Sequence, residues 1–248
     1  MRPHLLLTND DGARADGLNA LADALVPYAQ VSVVAPRTEQ SGVGRHISLR
    51  TPLRASQFAP GRWSVDGTPT DCVYLALNCL LETPPDLVVS GINHGPNLGE
   101  DVWYSGTANA ALEAASSGIR AIAMSQTLWP DAQWPEIGSV AAGLVLDFWS
   151  HWPTGAECLN VNFPERVSPD AIKWCWAPLG ERDYQRSVVT HTDPHGRPYY
   201  WIAGTPRHAV SQVDTDGARL SEGWITVTPL NRNATDWETL KSFLQHED

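Results

Sequence analysis

Residues 5–36 read LLLTNDDGARADGLNALADALVPYAQVSVVAP, and the order of apolar and polar positions in this stretch decides the fold. Leu5, Leu6 and Leu7 form a short apolar run ending at Thr8, and Asn9-Asp10-Asp11-Gly12 then breaks it with turn chemistry. This predicts a buried strand followed by a polar loop. Leu18, Leu21, Ala22 and Leu25 recur at the spacing that puts one apolar stripe on a helix, until Pro27 stops it. Val31 to Ala35 is β-rich and halts at Pro36. Strand, loop, helix and strand in this order make a βαβ unit with parallel strands and a right-handed crossover. Loops at the carboxyl ends of such strands are the usual ligand sites.

The pattern continues outward from that unit. Asp71 to Leu81 predicts a helix, Leu87 to Ser90 a buried strand, Thr107 to Ser117 an Ala-rich helix and Ala121 to Ser125 another strand. Ile137, Val140, Ala141, Leu144 and Phe148 mark a longer amphipathic helix, and Leu159 to Asn162 a further strand. The alternation predicts an α/β domain with a doubly wound, mostly parallel sheet. Beyond about Pro164 the rhythm changes to short Trp-, Tyr- and Pro-rich strands such as Tyr199 to Ile202 and Trp224 to Pro229, with a last helix near Asp236 to Leu244. We therefore expect a single domain over residues 1–248, with its core over about 1–164 and a β-rich extension over about 165–248.

Composition narrows the function. A chain of 248 residues with 42% hydrophobic residues, 11 Trp and 18% charged residues can bury a core and is not a disordered segment. The first residues lack the apolar length of a secretory signal, and no window reaches the length of a membrane span, so a soluble, cytoplasmic protein is expected. A net charge of −11 with lysine only at Lys173 and Lys241 makes a basic groove for a nucleic-acid polymer an unsuitable reading. Acidity is compatible with an enzyme in which a cation, rather than lysine, neutralises a phosphate. Cys72, Cys79, Cys158 and Cys175 are scattered without a CxxC pair, which fits free thiols better than a zinc or redox site.

Four stretches carry candidate chemistry. Asp10 and Asp11 are adjacent carboxylates that repel each other in a ligand-binding loop unless a cation compensates, although an Asx-rich turn would use the same residues. Ser41-Gly42-Val43-Gly44 follows the second strand; Ser41 could supply an oxygen to the same cation, or the stretch could be a flexible loop. Ser90 to Gly99, reading SGINHGPNLG, again leaves the carboxyl end of a strand, and its Asn93 and Asn97 amides suit an anion and metal cradle or simply a long surface loop. Tyr104-Ser105-Gly106-Thr107 precedes the Ala-rich helix, where hydroxyls and free N–H groups suit phosphate as well as ordinary capping.

Other signals fail. The glycine-rich loop at Ser41 has Ile47 where a dinucleotide fingerprint needs its third glycine, and no Walker A loop contains either lysine. Pro194 between His191 and His195 precludes the helix that a zinc-binding pair needs, and no GxSxG elbow supports a serine triad.

Taken together, Leu6 to Gly12, Ala35-Pro36 leading to Ser41-Gly42, Gly67-Thr68-Pro69-Thr70-Asp71-Cys72-Val73, Ser90 to Gly99 and Tyr104 to Thr107 closely resemble the stationary-phase survival protein family, SurE. Tyr200-Trp201-Ile202, Glu222-Gly223-Trp224 and Thr228-Pro229-Leu230 resemble its later landmarks. The resemblance implies a three-layer Rossmann-like core, a projecting β-hairpin, an exchanged C-terminal segment and assembly as homodimers or homotetramers. It also implies a metal-dependent 5′/3′-nucleotidase acting on nucleoside monophosphates, with one divalent cation per subunit, Mg²⁺ or Mn²⁺, held at positions matching Asp10, Asp11, Ser41 and Asn93. Departures from the family pattern are His46, Asp16, Gly217 and Arg219, and none removes a proposed ligand.

The expected mechanism is attack of metal-activated water on phosphorus, with Asp10 or Asp11 as catalytic base. Asn9, Asn97, Ser105, Gly106 and Thr107 would bind the substrate phosphate. An aspartyl-phosphate intermediate is the competing mechanism. Competing functions are a broader acid-type phosphatase or exopolyphosphatase, and a non-catalytic nucleotide sensor.

Overall fold

The computed structural model describes residues 2–127, 133–167, 172–184, 187–203, 206–208 and 213–244. Its elements follow in the order β1 (His4–Thr8), α1 (Asp16–Leu25), β2 (Gln30–Pro36), β3 (Ala55–Ala59), β4 (Arg62–Val65), α2 (Pro69–Leu75), β5 (Leu87–His94), α3 (Gly106–Ser116), β6 (Ala121–Gln126), α4 (Trp134–Ser150) and β7 (Cys158–Phe163). There follow β8 (Trp174–Trp176), β9 (Arg182–Tyr184), β10 (Ser187–Thr192), β11 (Pro198–Ala203), β12 (Pro206–His208), α5 (Asp216–Ser221), β13 (Ile225–Leu230) and α6 (Trp237–Leu244).

Nine strands form one sheet in the order β3-β4-β2-β1-β5-β6-β7-β13-β8. β4, β2, β1, β5, β6 and β7 are mutually parallel along it, whereas β3 pairs antiparallel with β4 and β13 antiparallel with β7. The chain order reverses direction at β1, with β2 on one side and β5 on the other, so the carboxyl ends of β1 and β5 border the crevice where an α/β sheet takes its ligand.

Side-chain alternation explains the three layers. Leu5 and Leu7 of β1, Leu87 and Val89 of β5, and Ile122 and Met124 of β6 pack into a core beneath α1 and α4. Leu6, Val88, Ala121 and Ala123 point the other way, into a core beneath α2 and α3. Every residue of Leu5 to Leu7 is fully buried, and burying a leucine side chain stabilises by about 1.5–3 kcal/mol. On the α3 side the sheet offers alanines, and α3 answers with Ala108, Ala111 and Ala115, so the helix lies close against its strands. The doubly wound, three-layer α/β fold is thus as the sequence predicts.

Three elements differ from the sequence reading. The stretch Ser90 to Gly99 is not all loop: β5 runs on to His94, pairing Asn93 with Ser125 and His94 with Gln126 beyond a register shift after Ser90. Gly91 permits that shift, at φ 138° and with room for no side chain, since a Cβ would stand 2.2 Å from the Met124 carbonyl oxygen. The β3–β4 hairpin was not anticipated. Finally, β8 and β13 follow residue 164 yet extend the main sheet, while β10 and β11 form a separate antiparallel hairpin. Among the described residues no helix is long and apolar enough to cross a membrane.

Candidate active site at the carboxyl ends of β1 and β5

The loop after β1 is shaped by Asn9. Its side chain donates to the Gly12 carbonyl at 3.1 Å and accepts from the Gly12 N–H at 3.2 Å, closing a tight turn around the two aspartates. The Asn9 amide is therefore engaged in its own loop. Gly12 adopts φ 112°, and the next N–H, of Ala13, donates to the Pro36 carbonyl at the end of β2.

Asp10 is 4% exposed and faces the first turn of α3. The Thr107 hydroxyl donates to one of its carboxylate oxygens and the Thr107 N–H donates to the other at 3.2 Å. Helix α3 can come this close only because Gly106 has no side chain; a Cβ there would lie 2.8 Å from the Asp10 Cβ. Ser105 caps the helix, accepting from the Ala108 N–H at 3.0 Å. The Gly106 N–H, at the first helical position, has no acceptor within its helix and adds to the positive end of the helix dipole.

Burial, and then the charge of Asp11, raise the Asp10 carboxyl from 3.8 to about 6, against the lowering effect of the Thr107 hydrogen bonds. Asp11 is also raised by burial; the His94 side chain and N–H work the other way, and Glu39 adds to the rise. The His94 N–H donates to one Asp11 oxygen at 3.2 Å, so the end of β5 fixes this second carboxylate. The His94 ring stacks on Trp134 of α4, with centroids 4.6 Å apart.

The loop after β2 closes over the same ends. The Gln40 N–H donates to the Asp10 carbonyl at 2.7 Å, and the Gly44 N–H donates to the Tyr104 carbonyl at 2.9 Å. Between these two anchors lies Ser41, exposed, its hydroxyl donating to Glu39 at 2.9 Å. Asn93, half-buried near the end of β5, donates from its amide nitrogen to the Gly95 carbonyl at 2.7 Å, leaving the amide oxygen for another partner.

Asn97 is held by a polar network the sequence reading missed. Its N–H donates to Asn162 at 2.8 Å, its amide nitrogen donates to Ser125 at 2.8 Å, and its carbonyl accepts from Asn160 at 2.8 Å and Asn162 at 3.0 Å. The available signal was β7 itself: Asn160 and Asn162 alternate with Leu159, Val161 and Phe163 in a fully buried strand, where an asparagine without partners is costly.

The sequence-predicted residues thus lie on three neighbouring strand ends and one helix start: Asn9, Asp10 and Asp11 after β1, Ser41 after β2, Asn93 and Asn97 at and after β5, and Ser105, Gly106 and Thr107 at α3. Thr107 serves Asp10, however, and the Asn97 amide nitrogen serves Ser125. Among the described residues no group of three or more His, Cys, Asp or Glu is placed to hold a metal. A cation here would have two carboxylates and would complete its shell with neutral oxygens.

A family model for survival protein SurE matches residues 5–186. The chain belongs to the SurE family. It is 43% identical to the 5′-nucleotidase SurE of Geotalea daltonii over 242 residues, covering 95% of this chain and 96% of that one. It is 46% identical to the 5′-nucleotidase SurE of Anaeromyxobacter sp. strain K, covering 93% of this chain and 91% of the relative. Among solved structures it is similar to the SurE protein from Aquifex aeolicus, with a TM-score of 0.87 and 38% identity, covering 99% of this chain and 100% of that chain. The nine-stranded sheet and the strand-end crevice are therefore SurE architecture, and the site lies in the part of the chain that the family model spans.

Proposed function

We propose that the chain is a 5′/3′-nucleotidase, a phosphoric monoester hydrolase that releases phosphate from nucleoside monophosphates. The observation that carries the reading is the pair of adjacent carboxylates, both raised by burial, with Asp10 set against the N-terminus of α3 and Asp11 against the end of β5, in a chain of the SurE family. A buried anion beside a half-buried one is costly alone. The pair becomes favourable when a divalent cation and a phosphate share the crevice.

The donor set fits a hard cation such as Mg²⁺ or Mn²⁺: the Asp10 and Asp11 carboxylates, the Ser41 hydroxyl and the Asn93 amide oxygen are all oxygens. When bound, the cation supplies charge neutralisation to phosphoryl oxygens and acidifies coordinated water. The protein's own groups do the rest. The Gly106 N–H and the Ser105 hydroxyl, at the positive end of α3, bind phosphoryl oxygens and stabilise charge as it redistributes. Asp10 is held still by Thr107 through both oxygens, which fits a ligand and argues against its being the nucleophile of an aspartyl-phosphate route. Asp11 accepts a hydrogen bond on one oxygen only among the described residues, and its other oxygen receives the proton of the attacking water. Asn97, fixed by Asn160, Asn162 and Ser125, and Asn9, fixed by Gly12, keep the loops that carry these groups in register.

The β10–β11 hairpin exposes Val188, Tyr200, Trp201 and Ile202, with Ile202 96% exposed, which supports assembly as a homodimer or homotetramer. All four cysteines are free thiols, which supports a reducing, cytoplasmic setting. The test is phosphate release from a panel of nucleoside monophosphates, polyphosphate and simple phosphomonoesters, using metal-stripped protein with each cation restored. Turnover of nucleotides that chelator abolishes and Mn²⁺ or Mg²⁺ restores is expected. Release from polyphosphate or simple esters alone, or nucleotide binding without release, would replace the proposal with the corresponding alternative.

A further inference from the structure

A cleft of about 630 Å³ opens at the carboxyl ends of β2 and β4, one strand over from the Asp10–Asp11 loop. That volume is in the range of small-molecule sites. Its wall and the wall of the candidate active site are the same piece of chain. Thr38, Gln40 and Val43 line the cleft, while Gln40 also donates its N–H to the Asp10 carbonyl and is followed directly by Ser41. A phosphate ester seated at Asp10, Asp11 and Ser41 has this cleft next to it for the rest of the molecule.

The opposite wall is held rigidly. Asp71, 1% exposed, accepts from the Ser48 N–H and the Ser48 hydroxyl, both at 2.8 Å, and from the Thr68 N–H at 2.9 Å. The Thr68 hydroxyl donates to the His46 carbonyl at 2.6 Å. The capping box that starts α2 therefore also pins the main chain of residues 46–48, leaving the His46 side chain exposed at the cleft. At the rim, the Asp66 carboxylate pairs with the Arg37 guanidinium at 2.9 Å, and both are about half-exposed. A paired carboxylate keeps lone pairs for further donors.

Resting on the nucleotidase reading, we propose that this cleft, lined by Val43, His46 and Asp66, is the nucleoside subsite: the base stacks on the His46 ring, and the Asp66 carboxylate accepts hydrogen bonds from the ribose hydroxyls. The two chemistries match the two parts of a nucleoside, base and sugar. A flat ring face takes any base, since stacking does not need a particular hydrogen-bond pattern. A carboxylate at the end of a sheet strand takes vicinal hydroxyls, as the acidic residue of dinucleotide sites does. The pinned 46–48 wall means little ordering is lost on binding. The consequence is selection for nucleotides over small phosphate esters, with breadth among bases.

The experiment is steady-state kinetics of the full chain with Mn²⁺, using nucleoside 5′-monophosphates of adenine and uracil alongside glycerol 2-phosphate, which has neither base nor ribose. His46→Ala and Asp66→Ala are compared with Val43→Trp, which fills the cleft; all three positions have solvent-accessible side chains, and unchanged thermal unfolding verifies the fold. The expected result is a fall of about tenfold in the ratio of nucleotide to glycerol phosphate kcat/KM for each variant, expressed in KM. Nucleotide hydrolysis with that ratio unchanged in all three variants would overturn the subsite and leave the nucleotidase reading intact. Wild-type protein that hydrolyses glycerol 2-phosphate but no nucleotide would instead overturn the nucleotidase reading, and the subsite with it.

Discussion

Replacing Asp10 by asparagine should make the metal-free protein more stable at neutral pH while ending its turnover. The Asp10 carboxyl is raised from 3.8 to about 6, chiefly by burial, which corresponds to about 3 kcal/mol of stability lost between the two values. The sign follows from proton counting. Between pH 3.8 and about 6 the folded state binds the Asp10 proton and the unfolded state has released it, so rising pH favours unfolding; above about 6 the loss is complete. Asparagine has no charge to bury. Its oxygen can accept from the Thr107 N–H and its nitrogen can donate to the Thr107 hydroxyl, so neither group is orphaned. Calorimetry in chelator should therefore show Asp10→Asn melting roughly 6–12 °C above wild type at pH 7.5, with the gap nearly closed at pH 4. Restoring Mn²⁺ should stabilise wild type and leave the variant unmoved. Equal melting at pH 7.5, or a gap that persists undiminished in acid, would mean that the Asp10 charge does not destabilise the metal-free fold.

Three further outcomes follow from the same geometry. Gly106→Ala would drive a methyl group into Asp10, and kcat should drop at least tenfold in a phosphate-release assay while circular dichroism stays native. Thr107→Val removes the hydroxyl that favours ionised Asp10, so its carboxyl should rise further, and Mn²⁺ affinity by isothermal titration should weaken more at pH 6 than at pH 8. Asn162→Ala strips the Asn97 N–H of its acceptor in a buried setting, and should cost about 1–3 kcal/mol by urea unfolding together with a loss in kcat/KM.

The β1–α1–β2 unit was legible because its signals are local: an apolar run, a helical stripe and two stops all lie within residues 5–36. The positions of Asp10, Asp11, Ser41 and Asn93 could be read as strand-end residues for the same reason. What could not be read depends on distant pairing. Gly91 to His94 look like loop residues, and only their pairing with β6 makes them strand. Ile225 to Leu230 has an ordinary β pattern, and nothing local says that it lies antiparallel beside β7 rather than in the extension. Thr107 looked like a phosphate donor because helix starts bind anions; its contact with Asp10, 97 residues away in sequence, depends on how closely α3 packs against β1. The Asn160–Asn162 network was written in the alternation of β7 but needed the position of Asn97 to give it meaning.

The most direct test of the account is diffraction from crystals grown with Mn²⁺ and a non-hydrolysable nucleoside monophosphate analogue, recorded at a wavelength where manganese scatters anomalously. A single anomalous peak per chain bounded by Asp10, Asp11, Ser41 and Asn93, with the analogue's phosphate between it and the first turn of α3, is the predicted result. Manganese bound elsewhere, or those two aspartates turned apart around a phosphate with no ion beside it, would contradict the account.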